Sequence, residues 1–465
     1  MLKQPSITAR FKLPVLGARG SRTAALHASG FRGAAASFRV DIVESIERSK
    51  DLFSNLIRNP HLAEQIVTIG LRGASAAGKF VLSLFLITYV GLADLGVYGL
   101  LVGAATAVPA VLGFGLSDWT TRECVGLKTD DAVALAGTRL GFTVLVHAIV
   151  QPIFWVANAA LGYPIPGDFA VLVALILLLE HLGADAHGPL IARQRVILSS
   201  IVLFIRSGAW PMAIIVIGWA YPPARSLIWV LSAWLAGLTL MIFVLSAVCL
   251  KKGRWRMLRI RLRWLRSALA RSWPFYLSDI GAVSSLYADR FAISLFAGLE
   301  ATGIYVFFWS AANVVHSVSL YGTFHPRVPL LVTAASTGDG TTLRKLLFQF
   351  QSMTFVWAIA LFGCLWVGIL LFLEIGVRPQ LNGHLILFAM ITISILVRIL
   401  ADSYHFVLYA LSRDRTIAVV NLCLAFGSVA LNAIMVATAG LMGAAIAAIL
   451  TATGLLAARR MLGRF

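Results

Sequence analysis

The sequence predicts an all-α membrane protein with about twelve transmembrane helices in two pseudo-symmetric lobes of six. Apolar residues make up 59% of the 465 positions, and the mean hydropathy is +0.86. Apolar windows of about 20 residues, the length that crosses a hydrocarbon core, recur along the whole chain. The ten-residue alternation of a membrane β-barrel is not seen, so helices are expected to form the spans.

Twelve spans can be placed, and the charge of the links between them alternates. The spans cover residues 70–91, 97–117, 134–157, 167–186, 198–218, 226–249, 273–297, 302–322, 346–373, 385–409, 416–438 and 441–458. Lys and Arg are concentrated in every second link, whereas the basic residues of the other links are only Arg225 and Arg378. The positive-inside rule therefore predicts that both termini are cytoplasmic.

Charge and hydropathy divide the chain into four regions. Residues 1–64 form a basic tail, within which 40–58 have the spacing of an amphipathic helix on the membrane surface. Residues 65–250 form the first lobe, 251–271 a basic cytoplasmic inter-lobe helix, and 272–465 the second lobe. The start of the tail also fits a transit peptide or an over-extended start. Because the net charge of +19 is concentrated in the tail and links, we expect anionic membrane lipids and no nucleic acid as partners.

The chain repeats part of itself at an offset of 207 residues. The stretch from Gly91 to Tyr98 (GLADLGVY) matches the stretch from Gly298 to Tyr305 (GLEATGIY) without a gap. Each copy is a short link, bounded by glycine, between two long apolar segments. An internal repeat in a membrane protein is typical of transporters whose two lobes meet at a binding site.

Ionisable residues inside the spans are the candidate functional groups, because each costs several kcal/mol unless it faces water or a partner. Arg72 and Lys79 lie on one polar face of span one, and Asp279 and Arg290 lie on one face of span seven. The repeat relates these two faces, so we expect both to line a water-filled cavity between the lobes. The alternative is that each charge pairs within its own lobe, or that Arg72 snorkels to the membrane edge.

Other polar residues inside the spans could line the same cavity or bind a coupling ion. They are Asp289, Asn313, His316 and Arg139, each with a purely structural role as the alternative, and Asp279 could also bind such an ion. Arg398 and Asp402, four residues apart on span ten, are expected to pair with each other, and Arg206 has no assignment. At the end of span four, solvation at the membrane interface is expected for Glu180, His181, Asp185 and His187.

The sequence contains no recognisable catalytic or metal-binding motif. It has no Gly-rich phosphate loop, no H-E-x-x-H pattern and no G-x-S-x-G elbow. The spacing of the cysteines indicates neither a metal site nor a disulfide framework. The links on the less basic side are short and leave no room for an external catalytic domain. We therefore expect a protein that is not an enzyme and that has no cofactor and no metal.

Two stretches of the chain carry a family resemblance. The first is GLADLGVYGLL followed by FGLSDWTTREC, within residues 91–124, and the second is YADRFAISLFAGLEATGIYVFFWSAANVV at 287–315. The second includes the pair Asp289-Arg290 ahead of the turn that begins at Gly303. Over about residues 65–460 the chain resembles the polysaccharide (O-antigen, Wzx-type) flippases of the multidrug/oligosaccharidyl-lipid/polysaccharide (MOP) exporter superfamily.

This resemblance implies a MATE/MOP flippase-like fold, in which two six-helix lobes rock around a central cavity to give alternating access. It implies a bacterial inner-membrane flippase that moves a polyprenyl-pyrophosphate-linked oligosaccharide from the cytoplasmic to the outer leaflet. The product would serve O-antigen, capsule or exopolysaccharide biosynthesis, with a polysaccharide polymerase and glycosyltransferases as partners. A multidrug or lipid II exporter of the same superfamily is the near alternative, and a membrane oligosaccharide polymerase or ligase is the alternative from another class.

The resemblance also gives the charged residues a role. Arg72, Lys79 and Arg290 would bind the pyrophosphate, because guanidinium groups form charge-assisted, bidentate hydrogen bonds with phosphate. Transport could be driven by a coupling cation, H⁺ or Na⁺, or by the membrane potential, which favours outward movement of an anion. The identity of the sugar and the oligomeric state are left open.

Overall fold

The computed structural model describes residues 60–160, 167–250, 261–324, 327–376 and 379–463, and the regular elements in these ranges are all helices. The α-helices are α1 Pro60–Tyr89, α2 Leu92–Leu112, α3 Leu116–Cys124, α4 Thr129–Ala160, α5 Gly167–Ala192, α6 Val196–Phe204, α7 Trp210–Ala220, α8 Leu227–Leu250, α9 Leu262–Ser319, α10 Val328–Ser336, α11 Gly340–Glu374, α12 Leu385–Ala410 and α13 Asp414–Leu462. Short π-helical turns follow α6 and α9, and 3₁₀ turns precede α8 and α12. The predicted tail helix at 40–58 lies outside the described residues.

Within the described ranges, ten helical segments are long and apolar enough to cross a membrane. Two of them are far longer than one crossing needs, and each contains one glycine with non-helical backbone angles. Gly298 has φ 87° and ψ 178°, and Gly440 has φ 55° and ψ −135°, regions that are close to exclusive to glycine. Each long helix therefore contains two spans, and the predicted all-α fold with about twelve spans is confirmed.

The outer surface of the helix bundle is apolar. Large exposed side chains on different helices include Phe154, Phe243, Leu295, Phe348 and Phe426. Many charged and polar side chains are buried instead. This inverted distribution fits lipid as the surrounding solvent and identifies a multi-pass membrane protein.

The links lie at two ends of the bundle, which differ in charge. We call the end with α3, α10 and the links near Arg193 and Arg413 the basic end. The end with the links near Gly91 and Gly298 is the neutral end. We call residues 64–250 the N-half and 261–463 the C-half. Residues 251–260 of the predicted inter-lobe helix lie outside the described residues, and 262–271 continue directly into the first span of α9.

At the neutral end, α2 packs closely against the part of α9 that follows Gly298. A Cβ atom on Gly96 would collide with the carbonyl oxygen of Leu299, and one on Gly303 would collide with that of Leu92. Small residues thus let the two helices approach to backbone contact, as is common between membrane helices. The two halves are therefore closed against each other at this end.

At the basic end, the same pair of repeats makes unequal contacts. Gly115 is buried, and a Cβ on it would lie 2.5 Å from the carbonyl oxygen of Ser272 and from the amide nitrogen of Tyr276 on α9. The Ser272 hydroxyl donates a hydrogen bond of 2.7 Å to the carbonyl of Phe114. Gly322, the repeat equivalent of Gly115, is exposed with nothing within 4 Å of its Cβ position. The close contact that Gly115 makes between the halves is therefore not repeated at Gly322.

Candidate functional site

A cavity of about 150 Å³ lies inside the N-half, between α1, α2, α5 and the α6–α7 segment. We call it the N-half cavity. Its ionisable and hydroxyl-bearing lining residues are Lys79, Tyr98, Thr106, Glu180, Arg206 and Ser207. Trp210 and Trp234 form one wall, with their rings stacked at a centroid distance of 5.3 Å and an interplanar angle of 8°. The cavity therefore combines an aromatic wall with a polar interior.

A π-helical turn at Ile205–Ala209 places Arg206 at this cavity. Pro211 follows at the start of α7, and a proline in a helix lacks an N–H donor and clashes with the carbonyl of the residue four positions earlier. The wider turn relieves this clash, and such turns often occur at functional sites. Gly208 lets α1 approach, since a Cβ there would lie 2.7 Å from the Ser75 hydroxyl oxygen.

Glu180 forms the centre of the polar interior. One carboxylate oxygen accepts a hydrogen bond from Arg206 Nε, and the other accepts one of 2.8 Å from Trp234 Nε1. Arg206, unassigned from sequence, is thereby paired, and the expectation that Glu180 is solvated at the interface is wrong. The helix α5 continues to Ala192, which leaves Glu180 in its interior.

Of the two cations predicted on span one, Lys79 lines the N-half cavity and Arg72 does not. Lys79 is close enough to Glu180 and Arg206 to interact with both electrostatically. Arg72 lies two turns nearer the basic end, half-buried, where it interacts with His187 of α5. The predicted polar face exists, but its two charges have different neighbours.

Arg290 is enclosed by aromatic rings. Its guanidinium carbon lies 4.5 Å from the centre of the Tyr287 ring and 4.0 Å from that of Trp309, and the side chain is 2% exposed. Its Nε and Nη2 atoms have no hydrogen-bond partner among the described residues. Arg290 thus does not line the N-half cavity with Lys79, but a short link joins them, because the hydroxyls of Tyr287 and Thr106 are hydrogen-bonded at 3.3 Å.

A larger cavity of about 330 Å³ lies inside the C-half and includes His316 and Asp289. His316 Nε2 donates to Asp402 at 2.9 Å, and Arg459 Nη1 donates to the other oxygen of the same carboxylate at 2.7 Å. Arg398 approaches Asp402 only to 3.9 Å, so the predicted pair exists but is not the closest. The His316–Asp402–Arg459 cluster is the main charged group of this C-half cavity.

Asp289 and the remaining predicted residues of the C-half have separate surroundings. Asp289 accepts 2.6 Å and 2.7 Å hydrogen bonds from the Tyr305 hydroxyl and from the backbone N–H of Arg290. Asn313 is half-buried on the same helix and does not line the C-half cavity. Asp279 lies near the basic end, within electrostatic reach of Asp118 on α3, and burial raises the pKa of Asp118 while Arg122 opposes this rise.

Arg139 belongs to a buried network inside the N-half. Its Nη2 donates to Asp185 at 2.8 Å, and its Nη1 donates to Thr143 at 2.9 Å. His181 lies 3.1 Å from the same Nη2 and 3.0 Å from His147, and the exposure of all five side chains is 3% or less. The expectation that His181 and Asp185 are solvated is wrong, because both face α4 inside the bundle. Arg139 is thus held by partners within its own half.

Sequence reasoning missed several residues of these sites. Arg459, which follows the last predicted span, is 7% exposed and bound to Asp402. Trp234 and Tyr305 each donate a hydrogen bond to a buried carboxylate, a role that their spacing in the sequence does not indicate. Periodicity within one helix does not show partners on another helix. Within the described residues, no group of three or more His, Cys, Asp or Glu side chains is arranged to hold a metal ion.

Comparison with solved structures identifies the fold. A mutant form of a MATE protein superposes with a TM-score of 0.58 and 14% identity, over 86% of this chain and 95% of that one. An inward-facing MATE family multidrug resistance transporter of the MOP superfamily superposes with a TM-score of 0.54 and 14% identity, over 86% of this chain and 94% of that one. An outward-facing one superposes with a TM-score of 0.51 and 13% identity, over the same shares of the two chains. At these identities the likeness shows the fold alone. The chain therefore has the fold of MATE transporters of the MOP superfamily.

The other two comparisons add no closer relative. No protein-family model matches the chain, and no curated protein matches it.

Proposed function

We propose that the protein is a membrane exporter that works by alternating access and moves a polyprenyl-pyrophosphate-linked oligosaccharide from the cytoplasmic to the outer leaflet. The observation that carries this proposal is the buried guanidinium of Arg290, whose Nε and Nη2 have no partner among the described residues. A buried cation with unmet donors favours an anionic ligand and disfavours a cationic one. Arg72 and Lys79 add positive charge on span one.

The unequal edges of the basic end support a substrate with a lipid tail. Gly115 is packed against α9, whereas the equivalent Gly322 is exposed. A gap between the halves at the margin near Gly322 would let an isoprenoid tail stay in lipid while its polar head enters the protein. The head itself cannot cross hydrocarbon, because the desolvation of pyrophosphate and sugar hydroxyls is prohibitive.

Basic residues at the start of α9 fit the expected contact with anionic lipids. Arg263, Arg266 and Arg271 are exposed there, while Arg261 pairs with Asp131 of α4 at 3.0 Å. Each cation near an anionic surface contributes about 1 kcal/mol. The membrane potential would add roughly 2.3 kcal/mol per charge per 100 mV to the export of an anion, while H⁺ or Na⁺ coupling is the alternative.

The test is deletion of the gene followed by analysis of membrane lipids and surface glycan. We expect a lipid-linked oligosaccharide to accumulate on the cytoplasmic leaflet and the surface polysaccharide to be lost. Complementation with Arg290→Ala or Lys79→Ala should leave the protein inserted and the glycan absent. Normal surface glycan in the deletion strain, together with lost drug efflux, would instead establish a multidrug exporter.

A further inference from the structure

The N-half cavity has an excess of positive charge. Its charged lining residues are Lys79 and Arg206, both cationic, and Glu180, the single carboxylate. Arg206 and Glu180 neutralise each other through their direct ion pair. Lys79 is left as a cation in a largely buried setting, where an uncompensated charge is expensive. A counter-anion in this cavity would remove that cost.

The hydrogen-bonding groups of the N-half cavity also favour an anion over a cation. Both oxygens of Glu180 already accept hydrogen bonds, from Arg206 and Trp234. The Lys79 side chain makes no hydrogen bond within the part of the chain that the structure describes. Within the same residues, the Arg206 side chain donates only through Nε. The Lys79 ammonium and the terminal nitrogens of Arg206 are therefore free donors. The hydroxyl of Tyr98, a residue that is 4% exposed, is a third donor at this cavity. The unused donors of the cavity outnumber its unused acceptors, which favours an oxyanion as ligand.

The size of the cavity limits the ligand. A volume of about 150 Å³ holds roughly five waters at about 30 Å³ each, which is enough for a phosphate or pyrophosphate group. An oligosaccharide is too large for this space. The stacked rings of Trp210 and Trp234 close one side of the cavity.

From charge, donors and size together, we propose that the N-half cavity is a phosphate subsite. Lys79, Arg206 and Tyr98 bind the oxyanion, and Glu180 keeps Arg206 in place when the subsite is empty. A free phosphate or pyrophosphate and the head of a lipid-linked pyrophosphate present the same chemistry here. Only the second source rests on the proposed function.

The subsite is tested by direct binding to the purified full-length protein in detergent, measured by titration calorimetry. The probes are inorganic pyrophosphate and geranyl pyrophosphate. We expect saturable binding, weakened about tenfold by Lys79→Gln and by Arg206→Gln, since each removes a charge-assisted contact. The matched control is Arg415→Gln, which removes one exposed charge of the C-half and should leave affinity unchanged.

Two variants keep the test decisive if Arg206→Gln fails to fold. Lys79→Gln and Tyr98→Phe leave the Arg206–Glu180 pair intact, and Tyr98→Phe should weaken binding severalfold. Binding of neither probe, or unchanged affinity in folded Lys79→Gln and Tyr98→Phe, overturns the subsite. Equal affinity for both probes would show that a free oxyanion is sufficient for binding. Tighter binding of geranyl pyrophosphate would show that the subsite prefers the head of a lipid-linked pyrophosphate.

The outcome for the subsite is separable from the outcome for the proposed function. Pyrophosphate binding that depends on Lys79, without any export of lipid-linked oligosaccharide, would support the subsite and refute the proposed cargo. Export that continues in a Lys79→Gln variant with unchanged pyrophosphate affinity would support the cargo and refute the subsite.

Discussion

Gly96 and Gly303 occupy equivalent positions of the two repeats and pack backbone to backbone against each other. A Cβ on Gly96 would lie 3.1 Å from the amide nitrogen of Gly303, and a Cβ on Gly303 would lie 3.3 Å from that of Gly96. The contact is reciprocal, as at a two-fold interface between identical subunits. The offset visible in the sequence is therefore a symmetry of the fold, with its axis between these glycines.

Substitution of Gly96 by alanine should destabilise the protein by about 1–3 kcal/mol, because the new methyl group would overlap the Leu299 carbonyl and force the helices apart. Thermal unfolding in detergent measures this change. The matched control is Gly363→Ala on α11, where nothing lies within 4 Å of the Cβ position. That change should be neutral or stabilising by about 0.5–1 kcal/mol. Equal midpoints for the two variants would contradict the close contact.

A disulfide between Gly99→Cys and Val306→Cys should form in a background without the native cysteines and should stop transport. A Cβ on Gly99 would lie 3.1 Å from the Cβ of Val306, close to the roughly 3.8 Å of disulfides. Because alternating access has to separate the halves at this point, reductant should restore export. Each single-cysteine variant serves as control. Full export by the cross-linked protein would show that this contact never opens.

Replacement of Arg290 by methionine should abolish export while leaving thermal stability nearly unchanged. The change removes two cation–π contacts worth about 0.5–2 kcal/mol but also removes a buried charge with unmet donors, and these effects oppose each other. Surface polysaccharide and the unfolding midpoint are measured together. Arg290→Lys, which keeps the charge but loses the planar fork, should retain part of the export. A methionine variant that unfolds would indicate a structural role instead.

The Arg139–Asp185 pair is expected to matter for folding and not for substrate choice. Asp185→Leu would leave the Arg139 guanidinium buried without its carboxylate, at a cost of about 3–5 kcal/mol. The double variant Arg139→Met with Asp185→Leu should recover most of that loss. The yield of folded protein and its unfolding midpoint report both effects. If the double variant folds well but does not export, the pair has a role in transport as well.

The number of spans and the repeat could be predicted because hydropathy and the glycine pattern are properties of consecutive residues. The surroundings of Glu180 and Asp185 could not, because nothing in span four marks where the membrane ends. The helix runs on to Ala192, so both acids lie inside it and reach partners on neighbouring helices. The burial of Arg459 could not be predicted either, because its partner Asp402 lies 57 residues away in the chain.

Arg290 shows why the spacing of residues along one helix does not determine whether a charge is exposed. The same periodicity that places Arg290 on a polar stripe also places Tyr287 there, one turn earlier. The ring of Tyr287 then covers the guanidinium from one side, and Trp309 covers it from another. Whether a charge faces water or a ring depends on rotamers and on a second helix segment, neither of which the spacing contains.

The packed edge beside Gly115 has a mechanical consequence. When the glycines at the neutral end separate, the two halves can rotate about that edge as a hinge axis. The exposed margin near Gly322 would then move the greatest distance. Cargo anchored in the bilayer could slide in along that margin without its hydrocarbon chain ever leaving the membrane.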